Sequence, residues 1–78
     1  MTIYAEAELF VSSFPKIETM EAIDEKTCRG IKDLNVAERD GVIRIFGQSN
    51  TFYVKQLASE TVSQLHPEFS VLNQIEVI

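Results

Sequence analysis

Two runs of alternating apolar and polar residues meet at Asp40-Gly41. Leu34-Asn35-Val36-Ala37-Glu38-Arg39 precedes the dipeptide and Val42-Ile43-Arg44-Ile45-Phe46-Gly47-Gln48 follows it. Alternation is the period of a half-buried strand. Asp-Gly supplies the two positive-φ positions of a type I′ turn, so the runs predict a hairpin. With Asp40 and Gly41 as its loop, Arg39 faces Val42 and Val36 faces Ile45. Leu34, Val36, Ile43 and Ile45 then share one face, and a slip of one residue would scatter them over both. The other face carries Asn35, Ala37, Arg39, Val42, Arg44 and Phe46 and is expected to meet solvent. Gly47 falls on the inner face, where a missing side chain would let a helix approach closely.

The flanking segments change period. From about Pro15 to Asp33, Met20, Ile23, Thr27, Ile31 and Leu34 recur at steps of three and four, a helical stripe. Its acids (Glu18, Glu21, Asp24, Glu25) lead and its bases (Lys26, Arg29, Lys32) follow, matching the helix dipole. Cys28 is read as a half-buried residue of this helix. A second helix is expected from a cap at Asn50 or Ser49 to about Leu65, with Val54, Leu57, Ala58, Thr61, Val62 and Leu65 as its stripe and Pro67 as its end. The last segment, from Val71 to Ile78, alternates as a strand. It turns Val71, Ile75 and Val77 toward the helices, with Asn73 as the odd polar member. The economical way to bury these stripes is an α+β fold of αββαβ order: a two-layer sandwich with two helices on one face of a three-stranded sheet.

Residues 1–15 form an N-terminal extension and residues 16–78 the domain. Within the extension, Ile3, Ala5, Ala7, Leu9 and Val11 alternate with Tyr4, Glu6, Glu8 and Phe10, which suits a strand, while Ala-Glu-Ala-Glu-Leu also suits a helix. Both readings stand at this point.

Composition narrows the function classes. The chain has 78 residues, so one domain, and one cysteine, so neither an internal disulfide nor a multi-thiolate metal site. Its net charge of −5, from 12 acidic and 7 basic residues, disfavours sequence-independent nucleic-acid binding and simple adsorption to anionic lipid. No nucleic-acid partner is expected on that ground. No apolar run reaches the roughly 20 residues that span a bilayer. The first residues lack the basic and apolar regions of a signal peptide, so a cytoplasmic location is expected if Met1 is the native start.

Asp40-Gly41-Val42-Ile43-Arg44-Ile45-Phe46-Gly47, then Lys55-Gln56-Leu57-Ala58, and finally Val71-Leu72-Asn73-Gln74-Ile75-Glu76-Val77 together resemble the BON domain, a family named for bacterial osmotically inducible and nodulation proteins. The apolar pair after the hairpin, the glycine closing the second strand, the alanine-rich second helix and the terminal Val-x-Asn-x-Ile-x-Val match in order and spacing over roughly residues 20–78. The resemblance implies an αββαβ fold. It also implies a module that attaches to phospholipid or to a protein partner, envelope-associated if the chain is part of a larger protein.

The residue chemistry favours binding over catalysis. His66, the one histidine, stands at a helix end where a capping or exposed role is expected. Antiparallel packing of the helices is expected to make Cys28 and His66 neighbours, but with no third partner identifiable they do not make a nucleophile pair. The acids of the first helix read as solvated surface, and Gly41 and Gly47 belong to the hairpin rather than to a phosphate loop. No catalytic group, cofactor or metal is therefore expected. The candidate interaction surface is Arg44, Phe46, Phe52 and Tyr53, with Asp40, Gly41 and Gly47 as structural turn residues. The leading expectation is a small non-enzymatic binding or assembly module for phospholipid or protein. The alternative is a self-associating domain, a homo-oligomer in which the N-terminal segment adds a strand to an open sheet edge.

Overall fold

The computed structural model describes residues 14–78, and the N-terminal segment read as strand or helix lies outside them. Helix α1 spans Lys16–Lys26, strands β1 and β2 span Lys32–Arg39 and Val42–Ser49, helix α2 spans Phe52–Leu65, and β3 (Ser70–Asn73) and β4 (Glu76–Val77) close the chain. β1 and β2 are antiparallel, and β3 and β4 both run parallel to β2 on its other side. The last expected strand is thus present but broken at Gln74 and Ile75. Both helices cover one face of this mixed sheet, as the αββαβ reading requires.

The hairpin forms in the expected register. Asp40 and Gly41 take φ of 55° and 80°, Arg39 pairs with Val42, and Val36 pairs with Ile45. Val36, Ile43 and Ile45 are fully buried with Ile23, Ile31, Ala58, Val62 and Ile75, while Leu34 packs against this core from its margin. Gly47 answers a different neighbour from the expected helix. Lys32 pairs with Gln48 and Asn35 with Phe46, so three steps on β1 match two on β2, and Asp33 takes a positive φ of 57° in the resulting bulge. A Cβ on Gly47 would stand 2.5 Å from the Ile31 side chain and 3.0 Å from the Lys32 carbonyl oxygen. The glycine makes room for the bulge and for Ile31 behind it.

The first helix is shorter than its stripe. Thr27 is the C-cap, Cys28 (φ 54°) and Arg29 (φ 59°) turn left-handed, and the Arg29 N–H donates to the Asp24 carbonyl at 2.7 Å while the Cys28 N–H donates to that of Glu25 at 3.3 Å. This pair of bonds is a Schellman closure with a non-glycine residue at its left-handed position. Ile31 and Leu34 keep the helical phase yet reach the core from extended chain. Cys28 is therefore exposed in the closing turn, not half-buried in a helix. The cap of α2 also moves: Thr51 Oγ1 accepts from the Val54 N–H at 3.2 Å, whereas Ser49 is buried and donates its hydroxyl to the Thr51 carbonyl. Of the α2 stripe, Ala58, Thr61 and Val62 are buried, and Leu65 is instead about half exposed (49%).

Asn73 explains the break in the last strand. Its Nδ2 donates to the Lys55 carbonyl and to Ser59 Oγ on α2, both at 2.7 Å, and its Oδ1 accepts from the Ile75 N–H at 3.0 Å. The carboxamide takes the place of a strand partner for Ile75 and ties the sheet edge to α2. The Gln74 N–H to Ile45 and the Ile78 N–H to Ser49 hold the rest of the segment on β2.

Candidate binding face

Alternation along β2 turns Ile43 and Ile45 into the core, so Val42, Arg44, Phe46 and Gln48 point away from the helices. The pairing then lays out rows across this helix-free face. Arg39, Val42 and Ser70 form the row at the turn end, and Ala37, Arg44 and Leu72 the next. Asn35 pairs with Phe46, with Gln74 one step beyond the Ile45–Asn73 pair, and Lys32, Gln48 and Glu76 complete the far end. Arg44, Asn35, Gln74 and Leu72 are exposed, whereas Phe46 is half-buried among them. The aromatic ring thus sits mid-sheet, with a guanidinium and three carboxamides as its nearest neighbours on the face.

The four expected surface residues divide between two places. Arg44 and Phe46 lie on the helix-free face. Phe52 and Tyr53, 73% and 70% exposed, open α2 in the helical layer, where Tyr53, Gln56, Leu57 and Glu60 line a shallow cleft. Signals that would have separated them were in the sequence: strand parity places Phe46, and the Thr51 cap places Phe52 and Tyr53 in the first helical turn.

Charge is mixed in both layers. The helices and the turn that closes α1 carry Glu18, Glu21, Asp24, Glu25 and Glu60 with Lys16, Lys26, Arg29 and Lys55, and the strands and hairpin carry Asp33, Glu38, Asp40 and Glu76 with Lys32, Arg39 and Arg44. Arg39 Nε approaches Asp40 Oδ2 at 4.0 Å with both side chains almost fully exposed, an ion pair too solvated to neutralise either.

His66 is committed to structure. Thr19 Oγ1 lies 2.7 Å from the Pro15 carbonyl oxygen and 2.9 Å from His66 Nε2, so the hydroxyl links the start of α1 to the imidazole. The imidazole also packs against Phe14 and Phe69, with centroids 5.3 and 5.8 Å away. The helices are antiparallel: His66 meets Thr19 at one end, and a Cβ on Gly30 would meet Val54 at the other. Cys28 belongs to that second end, more than about 10 Å of helix rise from Thr19, so antiparallel packing separates Cys28 from His66 instead of making them neighbours, because each follows the C-terminus of its helix. Among the described residues no three of His, Cys, Asp and Glu gather as a metal cage, and no helix is long and apolar enough to cross a membrane.

No family profile, no curated protein and no solved structure matches the chain. The likeness to BON domains therefore rests on the residues that carry it.

Proposed function

We propose that the chain is a small non-catalytic binding or assembly module, and that it works through the helix-free face of its sheet. One observation carries this reading: Phe46 and Leu72 remain accessible in the middle of a face that no element of residues 14–78 covers, whereas Val36, Ile43 and Ile45 on the other face are buried beneath the helices. A rigid strand scaffold holds these side chains at fixed spacing, which lowers the entropy lost on binding. The resemblance to BON domains supports attachment to phospholipid or to a protein as the kind of work done. Leu72 is the position from which to test the face. A photoreactive phenylalanine at Leu72 is expected to form adducts in the native host, and the same group at Ser63, outward on α2, is not. Adducts from Ser63 alone, or from neither position, would refute the proposal.

A further inference from the structure

We infer that residues 3–11 add a strand to the sheet of their own molecule, antiparallel to β3 along its outer edge. The inference stands apart from the helix-free face, because a sheet edge and a sheet face are different surfaces. It begins from the peptide groups of β3. The Ser70 N–H donates to the Gly41 carbonyl at 2.9 Å, and the Gln74 N–H to the Ile45 carbonyl at 2.8 Å. Alternate residues of a parallel strand turn N–H and C=O to the same neighbour, so Leu72 faces β2 as well. Val71 and Asn73 therefore turn their peptide groups outward, and among the described residues no strand lies on that side. Such an edge is a template for another strand.

The two edges of the sheet are not equal. On β1 the Val36 N–H already donates to Asn35 Oδ1 at 3.0 Å, and Lys32, Asp33, Glu38 and Arg39 occupy the strand ends. On β3 the Asn73 side chain closes only the Ile75 N–H, which leaves the peptide groups of Val71 and Asn73 open. Connectivity selects the same edge. The Phe14 ring packs 6.1 Å from that of Phe69, the residue immediately before β3. The 13 residues preceding Phe14 therefore join the molecule at the start of β3. A segment that runs toward Phe14 passes β3 antiparallel, whereas beside β1 it would run parallel, the weaker pairing. Nine extended residues cover about 30 Å, enough to flank the roughly 13 Å of β3 and continue past it.

The pattern of the segment fits this edge in one parity. Ile3, Ala5, Ala7, Leu9 and Val11 then share the helix side with Val71 and Asn73, and Tyr4, Glu6, Glu8 and Phe10 share the other side with Leu72. Val71 packs at the margin of the core and Leu72 is 42% exposed, so both retain apolar area for a neighbouring strand to cover. The opposite parity would set Glu6 and Glu8 against the core margin.

Amide hydrogen exchange of the full 78-residue chain, read by NMR, tests the pairing. The Val71 and Asn73 amides are expected to exchange at least about a hundredfold more slowly than those of an open edge. In this parity the Leu9 N–H faces β3 and the Glu8 N–H faces away. Leu9→Pro should return Val71 and Asn73 to open-edge exchange and leave the hairpin amides unchanged, and Glu8→Pro should preserve the protection. An intramolecular strand should give the same protection at about 0.05 and 1 mM chain. Open-edge exchange of Val71 and Asn73 in the parent, or equal effects of the two prolines, would overturn the inference. So would protection that falls on dilution, which would place the segment on a second copy, and so would helical carbon shifts over residues 3–11.

Discussion

Asn73 offers the sharpest test of how this fold is held together, because one carboxamide makes three bonds, two to α2 and one to the chain between β3 and β4. Asn73→Val keeps the strand tendency and the approximate bulk while deleting every bond. The Lys55 carbonyl and Ser59 Oγ lose a donor, and the Ile75 N–H loses its acceptor. At a net worth of about 1 kcal/mol per bond, the loss is roughly 2–3 kcal/mol. That is a large part of the roughly 3–10 kcal/mol expected for a domain of this size. Asn73→Asp separates the parts. A carboxylate can still accept from Ile75 and from the Ser59 hydroxyl, but it faces the Lys55 carbonyl with no proton to offer, so a smaller loss of about 1–2 kcal/mol is expected. Urea unfolding followed by circular dichroism measures both. A cycle with Ser59→Ala should show a coupling of about 0.5–1 kcal/mol, since the two residues share a bond. Hydrogen exchange adds a local reading: the Ile78 amide, bonded to Ser49 through the segment that Asn73 anchors, should lose protection before the hairpin amides do. If Asn73→Val unfolds within 0.5 kcal/mol of the parent, or if Ile78 and the hairpin exchange together, the latch has no such role.

Five further substitutions separate the readings of the turns and caps. Gly47→Ala should cost more than about 2 kcal/mol, because a φ of 146° is strained for any side chain and the new methyl meets Ile31 and the Lys32 carbonyl; Gly41→Ala, with open space around it, should cost about 1 kcal/mol, and equal losses in urea titrations would contradict the bulge argument. Thr51→Ala should remove about 1 kcal/mol through the lost cap, whereas Asn50→Ala should change stability by less than about 0.3 kcal/mol; the reverse order by thermal melting would restore Asn50 as the cap. Cys28→Gly should raise stability by about 0.5–1 kcal/mol, because the left-handed position closing α1 now strains an exposed cysteine; a loss in the same assay would show that the thiol makes a contact the geometry does not reveal.

These substitutions also mark where sequence and structure part. The hairpin was legible because two independent signals, Asp40-Gly41 turn chemistry and alternation on both flanks, required the same register. The helix α1 misled because Ile31 and Leu34 continue a period of three and four after the backbone has left the helix. Periodicity reports which residues share a side of the core, and here extended chain carries that side onward from Thr27. Nothing local warns of the Schellman closure, since Cys28 and Arg29 are not the glycine or asparagine that usually adopt it. Gly47 was recognised as a place of close approach, but its neighbour is set by a one-residue slip on β1 that depends on tertiary packing. Asn73 stood out as a polar residue in an apolar position. That signal was sound, and only the positions of Lys55 and Ser59 turn it into a latch.

The binding face shows the same division between what a pattern contains and what packing decides. Strand parity already placed Arg44 and Phe46 together and outward. It could not say that the helices would leave that side bare, nor that Gln74 would arrive beside Phe46 from the parallel strand. Net charge is no finer than the packing here, because both layers hold both signs. The helices and the turn that closes α1 set Glu18, Glu21, Asp24, Glu25 and Glu60 against Lys16, Lys26, Arg29 and Lys55, and the strands and hairpin set Asp33, Glu38, Asp40 and Glu76 against Lys32, Arg39 and Arg44. A ligand on the helix-free face therefore meets an aromatic and aliphatic centre with charges of both signs around it, and the side chains at that centre, more than a field of one sign, set what the face can hold.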